Sequence, residues 1–205
     1  VFPKAFTSSI STGYVVSESV YFAPPYWLKS ARNLFDVLRN SSEPSMFSLD
    51  RLLINIANDT RSTIDILRLV LPHVQDLCRK DTEKRAKLKS FGDMERERMP
   101  LTDPNNRKKK KTQGEEGDYE CEICRVNLFT SMVFDAHDNV IYCLDHAIEI
   151  LEKENSKVLN YKFMFTYDDD EIQALPDKIK SIIETKSQKK IPNKFAGMPT
   201  LLGKQ

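Results

Sequence analysis

Two short pairs of metal-binding side chains stand eighteen residues apart in this 205-residue chain: Cys121-Glu122-Ile123-Cys124 and Cys143-Leu144-Asp145-His146. Thiolate sulfur and imidazole nitrogen are ligands that Zn2+ prefers. A C-x2-C pair followed by a C-x2-H pair supplies four of them, enough for a closed tetrahedron. With every position filled by protein, no place remains for a reactive water, so the expected role is structural. One such ion would lock a segment with few core residues of its own: Phe129, Met132, Val133, Ile141 and Tyr142. Metal binding would then be part of folding. The plainer alternative is a set of incidental thiols beside a surface histidine. His137 is a rival ligand, but it sits in a polar turn, Asp135 to Asn139, outside either pair. Cys78, far from the others, is expected to be a small buried hydrophobe.

A second feature is electrostatic. The net charge is +1, from 31 basic and 30 acidic residues, so total charge names no partner. Locally, Arg79 to Lys111 holds 13 Lys and Arg against 6 Asp and Glu. Within it, Arg107-Lys108-Lys109-Lys110-Lys111 has the composition of a nuclear-import signal or of a contact to DNA phosphates. A solvated linker is the bland reading of the same run. There is no Gly-rich phosphate loop, no G-x-S-x-G and no H-E-x-x-H. The acids of 168–171 fit the positive end of a helix dipole better than an acid–base pair. His73, after Pro72, has no evident partner. No run of 18 apolar residues offers a membrane span, and no signal-peptide pattern follows Val1. A start at Val1 suggests a piece of a longer protein. Four cysteines, three of them clustered, suit a metal site in a reducing compartment better than a disulfide framework.

The elements that must carry these residues follow from periodicity. Tyr14, Val16, Val20 and Phe22 alternate along 13–23, with Glu18 on the same face, which predicts a strand ended by Pro24 and Pro25. Trp27, Leu28, Ala31, Leu34, Phe35 and Leu38 recur at helical spacing over 27–39. Ser48 is placed to cap a second helix carrying Leu52, Leu53 and Ile56. A third begins near Ser62 and meets Pro72, which should break it, kink it or open the next helix. The charge-rich stretch 79–98 reads as its exposed extension. Residues 99–118, with Pro100, Pro104 and the basic run, cannot build a core and mark a linker. Beyond it come a short helix after His146, a strand with Tyr161, Phe163 and Phe165 on one face, and a helix from Asp168 using Ile172, Leu175, Ile179 and Ile182.

Residues 2–28, FPKAFTSSISTGYVVSESVYFAPPYWL, resemble the closing strands of a JmjC domain through Phe2, Pro3, Ala5, Gly13, Glu18, Val20, Phe22 and Trp27. The segment from Cys121 through Tyr142-Cys143-Leu144-Asp145-His146 to Tyr161 and Tyr167 resembles the zinc finger that follows JmjC in the JmjC/ARID class of Jumonji-type chromatin proteins. GYVVSESVYFA, FSLDRLL and LFTSMVF are similar to a catalytically silent member of that class. Active members are Fe(II)/2-oxoglutarate enzymes that read F-P-x-A-Y-H-x-G-F-N-x-G-x-N here. This chain has Thr7 where they place an iron-binding histidine, and Ser9, Ser11 and Val15 in place of Gly, Asn and Asn. A hydroxyl is a poor substitute for imidazole in a two-histidine, one-carboxylate triad. Relatives also carry further cysteines for a second zinc where Arg125 to Val140 here has none.

The resemblance implies an α+β, mostly helical chain. Its parts are the closing strands of a JmjC double-stranded β-helix (1–26), a helical domain (27–98), a basic and acidic linker (99–118), a zinc module (119–185) and a tail (186–205). It implies one structural zinc on Cys121, Cys124, Cys143 and His146, with Fe(II) and 2-oxoglutarate not expected. It implies a nuclear, non-catalytic repressor or scaffold whose partners are chromatin proteins, among them Polycomb repressive complex 2, with DNA reached through Arg107 to Lys111. The alternatives are an Fe(II)/2-oxoglutarate histone demethylase with displaced ligands, and an unrelated zinc-finger DNA binder. The second calls for a basic helix after His146, and that helix reads AIEILEKE.

Overall fold

A computed structural model describes residues 6–20, 22–99, 119–154 and 158–189. The basic run Arg107 to Lys111, most of the expected linker and the tail beyond 189 lie outside the described residues. The fold is α+β. A 3-10 turn (Pro25–Trp27) leads into α1 (Leu28–Asn40), followed by α2 (Leu49–Asn58) and α3 (Ile64–Lys89). Then come β1 (Glu95–Arg98), β2 (Tyr119–Glu120), β3 (Asn127–Leu128), β4 (Ser131–Asp135) and β5 (Val140–Tyr142). Helix α4 (Leu144–Glu154), a 3-10 turn, β6 (Tyr161–Phe165) and α5 (Asp169–Lys189) complete it.

The helices begin where the capping chemistry places them. The Ser48 hydroxyl accepts from the Arg51 N–H, and the Thr63 hydroxyl from the Ile66 N–H. Asp168 and Glu171 form a reciprocal box: Glu171 N–H donates to the Asp168 carboxylate at 2.8 Å, and Asp168 N–H to that of Glu171 at 2.9 Å. Pro72 does not end α3, which runs on to Lys89. The proline removes one backbone bond. Leu67 and Val70 before it and Val74 and Leu77 after it all bury in one core, and that packing holds the helix together. The core is completed by Ile172, Leu175 and Ile179 of α5. Lys186 near the end of α5 donates to the carbonyls of Thr60 and Ser62, and Asp169 at its start meets Arg85 and Lys89. The two helices therefore lie antiparallel.

Four strands form one sheet in the order β1-β6-β4-β5. β1 pairs parallel with β6, whereas β6 with β4 and β4 with β5 are antiparallel. Tyr161 and Phe163 of β6 and Val133 of β4 face α4 and the end of α3, where Leu88, Ala147, Ile148 and Leu151 close a second core. Packing thus crosses segment 99–118: β1 lies before it, and its ladder partner β6 after it. The charge-rich stretch is not a plain exposed extension of α3. Asp81 and Arg85 are buried, and 95–98 is a strand.

The strand expected over 13–23 is absent among the described residues, which have no ladder partner. Tyr14 is 97% exposed and Val20 88%. A strand is held by its neighbours' hydrogen bonds. With none alongside, the alternation of side chains does not by itself make one, and the double-stranded β-helix is not seen.

Candidate metal centre

Each pair of ligands is set by a local turn at the end of a strand. After β2, the Arg125 N–H donates to the Cys121 carbonyl at 2.9 Å, and the Cys121 N–H to the Val126 carbonyl at 3.0 Å. To close this knuckle Arg125 takes φ +58°, the left-handed region that side chains with a Cβ rarely enter. The second pair sits where β5 gives way to α4: Ala147 N–H donates to the Cys143 carbonyl, which places His146 in the helix's first turn. A hydrogen bond from Glu122 N–H to the Ile141 carbonyl, 2.8 Å, brings the knuckles together.

The four expected ligands converge. One donor atom from each of Cys121, Cys124, Cys143 and His146 lies within 4.8 Å of all the others. The Cys121 and Cys143 sulfurs are each 3.3 Å from His146 Nδ1. Tetrahedral zinc with Zn–S near 2.3 Å sets its ligand atoms about 3.4–3.8 Å apart, so the cluster fits the ion. All three cysteines are buried, in an apolar shell with Met99, Leu128 and Met132. Hydrogen bonds from Cys124 and Cys143 pull the Cys121 thiol down, while facing Cys121 pushes Cys124 and Cys143 up. Zinc takes cysteine as thiolate, so binding would release the protons that Cys124 and Cys143 otherwise keep. Among the described residues no other group of Cys, His, Asp and Glu side chains is placed to hold a metal.

An ionic layer connects the site to the helices. Arg39 of α1 lies 3.9 Å from the Cys143 sulfur and forms an ion pair with Asp145, inside the second ligand pair. Lys84 of α3 reaches the same carboxylate at 2.7 Å. Burial would raise Asp145, but Lys84 and Arg39 hold it below the usual carboxylate range. No local pattern could have revealed this layer, because Arg39 and Asp145 are 106 positions apart. The buried pair Asp81–Arg85 was equally hidden. Its i,i+4 spacing looks like any exposed helix pair, and only the tertiary fold covers it.

The other candidates stand apart from this cluster. His137 is exposed in the β4–β5 turn, where it meets Asp138 at 2.7 Å. Its backbone N–H is held by Asp135. Thr7 is exposed, outside any helix or strand. Cys78 is buried on α3, and burial pushes its thiol up to about 12. The acids of 168–171 cap α5, as their position implied. The helix expected after His146 starts before it, at Leu144, and carries no basic face.

Residues 121–175 match the family described as C5HC2 zinc finger. That name counts five cysteines, a histidine and two further cysteines, whereas this segment holds three cysteines. The chain is also 27% identical over 190 residues to "Protein Jumonji" of Gallus gallus, a match covering 87% of this chain and 15% of that protein.

Proposed function

We propose that this chain, similar over residues 121–175 to the C5HC2 zinc finger and over most of its length to a Jumonji protein, is the non-catalytic, zinc-stabilised part of a larger chromatin-associated regulator. The observation that carries this is the closed set of Cys121, Cys124, Cys143 and His146, three of the four buried. Four protein ligands and no open position describe an ion that holds structure. One zinc is expected, because the cysteines that would hold a second are missing between Arg125 and Val140.

In the larger protein, residues 6–24 would find ladder partners in a JmjC double-stranded β-helix. Their exposed alternation of Tyr14, Val16, Val20 and Phe22 supports this. Thr7 in the place of an imidazole argues that the adjoining pocket does not hold Fe(II) with 2-oxoglutarate. The role is then to present surfaces: a nuclear scaffold for repression, docking chromatin proteins such as Polycomb repressive complex 2. Arg107 to Lys111 would serve nuclear import and contact DNA phosphates by counterion release.

Metal analysis tests the core of this proposal. The purified chain should hold about one equivalent of zinc and no iron, and removing the zinc should unfold the knuckles. A folded chain without zinc would overturn the structural role. Iron-dependent turnover of 2-oxoglutarate by the longer protein would overturn the non-catalytic one.

A further inference from the structure

Strand β1 is an outer strand of the four-stranded sheet, and all four of its residues, Glu95-Arg96-Glu97-Arg98, are exposed. Its parallel register with β6, and the bond of 2.8 Å from the Met99 N–H to the Phe165 carbonyl, fix which backbone groups meet β6. Those of Glu95, Glu97 and Met99 point inward, because bonding direction alternates along a strand. The N–H and C=O groups of Arg96 and Arg98 therefore point outward, along an edge that no described strand covers. Such a row is a template for another extended segment.

The side chains decide which segment fits. One face of β1 carries Glu95 and Glu97, whose ion-pair partner among the described residues is Lys162, at 3.1 and 2.9 Å. Two carboxylates share one ammonium, so this face has an acid to spare. The other face carries Arg96 and Arg98, and both are answered, by Asp169 and Glu171. On that side a pocket of about 150 Å3 lies against β1, lined by the end of α3, residues 92–94, Arg96 and Phe163. Leu88, Met94 and Phe163 are its apolar lining, and the Arg96 guanidinium sits 5.3 Å from the Phe163 ring. Its cations, Arg85, Lys89 and Arg96, all converge on Asp169, so an uncharged side chain suits it. A second copy of this chain does not fit the edge. Antiparallel pairing of two β1 edges sets like faces together, Glu against Glu and Arg against Arg. Nor does the chain's own unpaired segment 6–22, which holds no lysine or arginine to meet Glu95 and Glu97.

We propose that the outer edge of β1 docks an extended segment of a partner protein as an antiparallel fifth strand, with basic residues beside Glu95 and Glu97 alternating with apolar residues beside Arg96 and the pocket. The partner's apolar residues lie opposite Arg96 and Arg98 and exchange the backbone hydrogen bonds, while its basic residues turn their amides away. Backbone bonding supplies affinity, and the spare acid and the pocket supply specificity. This gives the scaffold role a chemically defined contact and rests on that reading.

The test is an NMR titration of the zinc-loaded 205-residue chain, 15N-labelled, with the peptide acetyl-Lys-Leu-Lys-Leu-Lys-amide. The same peptide with glutamate for each lysine is the comparison. The lysine peptide should shift the amides of Arg96 and Arg98 saturably and slow their hydrogen exchange, leaving exchange at Glu97, which faces β6, unaltered. N-methylation of its two leucines should abolish binding, and N-methylation of its central lysine should not. Alanine for both leucines should weaken binding at least about tenfold. E95K/E97K should reverse the preference between the two peptides. If that variant does not fold, E95K alone keeps the Glu97–Lys162 pair and should weaken the lysine peptide about threefold. Zinc content, measured on every sample, separates a failed edge from a failed knuckle. No saturable shift, equal binding of the glutamate peptide, binding that survives N-methylation of the leucines, or peptide-free dimerisation that protects the same two amides would each overturn the proposal.

Discussion

Replacing Arg85 by methionine should destabilise the zinc-loaded protein by about 3–5 kcal/mol, the usual cost of breaking a buried ion pair from one side. Arg85 is 3% exposed. Its guanidinium lies 2.6 Å from Asp81, 2.7 Å from the Ser131 hydroxyl, 2.9 Å from the Tyr167 carbonyl and 3.0 Å from Asp169. It therefore joins α3 to β4 and to the start of α5. Methionine fills much of the volume but leaves Asp81 with only the hydroxyls of Ser131 and Thr130. Burial already pushes the Asp81 carboxyl above its usual value with Arg85 opposing, so without Arg85 it should rise further. A raised folded-state value means that acidification favours the folded form. The deficit of R85M should therefore shrink as pH falls toward the raised value and persist in full at higher pH. The assay is urea unfolding at constant zinc, followed by helical circular dichroism, across the cycle of parent, D81L, R85M and D81L/R85M. The double variant should lose at least about 2 kcal/mol less than the two single losses added together, because no charge is then left stranded. A single loss under about 1 kcal/mol, or additivity within about 0.5 kcal/mol, would refute the reasoning.

R39A should lower zinc affinity about 10- to 100-fold, as loss of an outer-layer partner commonly does, measured by competition with a chromophoric chelator. Unchanged affinity would show that Arg39 is only a surface cation. Chelation, or C124S, should collapse the amide dispersion of 119–146 while α2 and α3 retain their helical signal, because the latter pack in a core of their own. Cys78 should resist alkylation at pH 8 in the folded protein. With its thiol pushed up to about 12, roughly one molecule in ten thousand is thiolate there. Rapid labelling before unfolding would count against this burial. D168A removes the Asp168 side of the box that starts α5 and should cost about 1 kcal/mol in thermal or urea unfolding.

What could be read in the chain before any fold was the chemistry held in short spans. The ligand spacing of Cys121, Cys124, Cys143 and His146 is local, since each pair needs only one turn of backbone to aim both atoms. The Ser48 cap, the acids at Asp168 and the alternation of Tyr161, Phe163 and Phe165 are local for the same reason. Tertiary structure decided whatever depends on distant neighbours. The residues of 13–23 alternate like a strand, yet a strand requires hydrogen bonds from a second chain segment, and among the described residues none pairs with them. Pro72 carries a local breaking signal, and burial on both sides of it overrides that signal. Arg85 and Asp81 look like one more exposed pair on a charged helix until β4 and α5 cover them. Spacing along a chain limits which groups a single turn can bring together, but burial, ion pairing and ladder partners are set by residues tens of positions away. For that reason the cluster of Cys121, Cys124, Cys143 and His146 was legible in the sequence, and the Arg39–Asp145–Lys84 layer behind it was not.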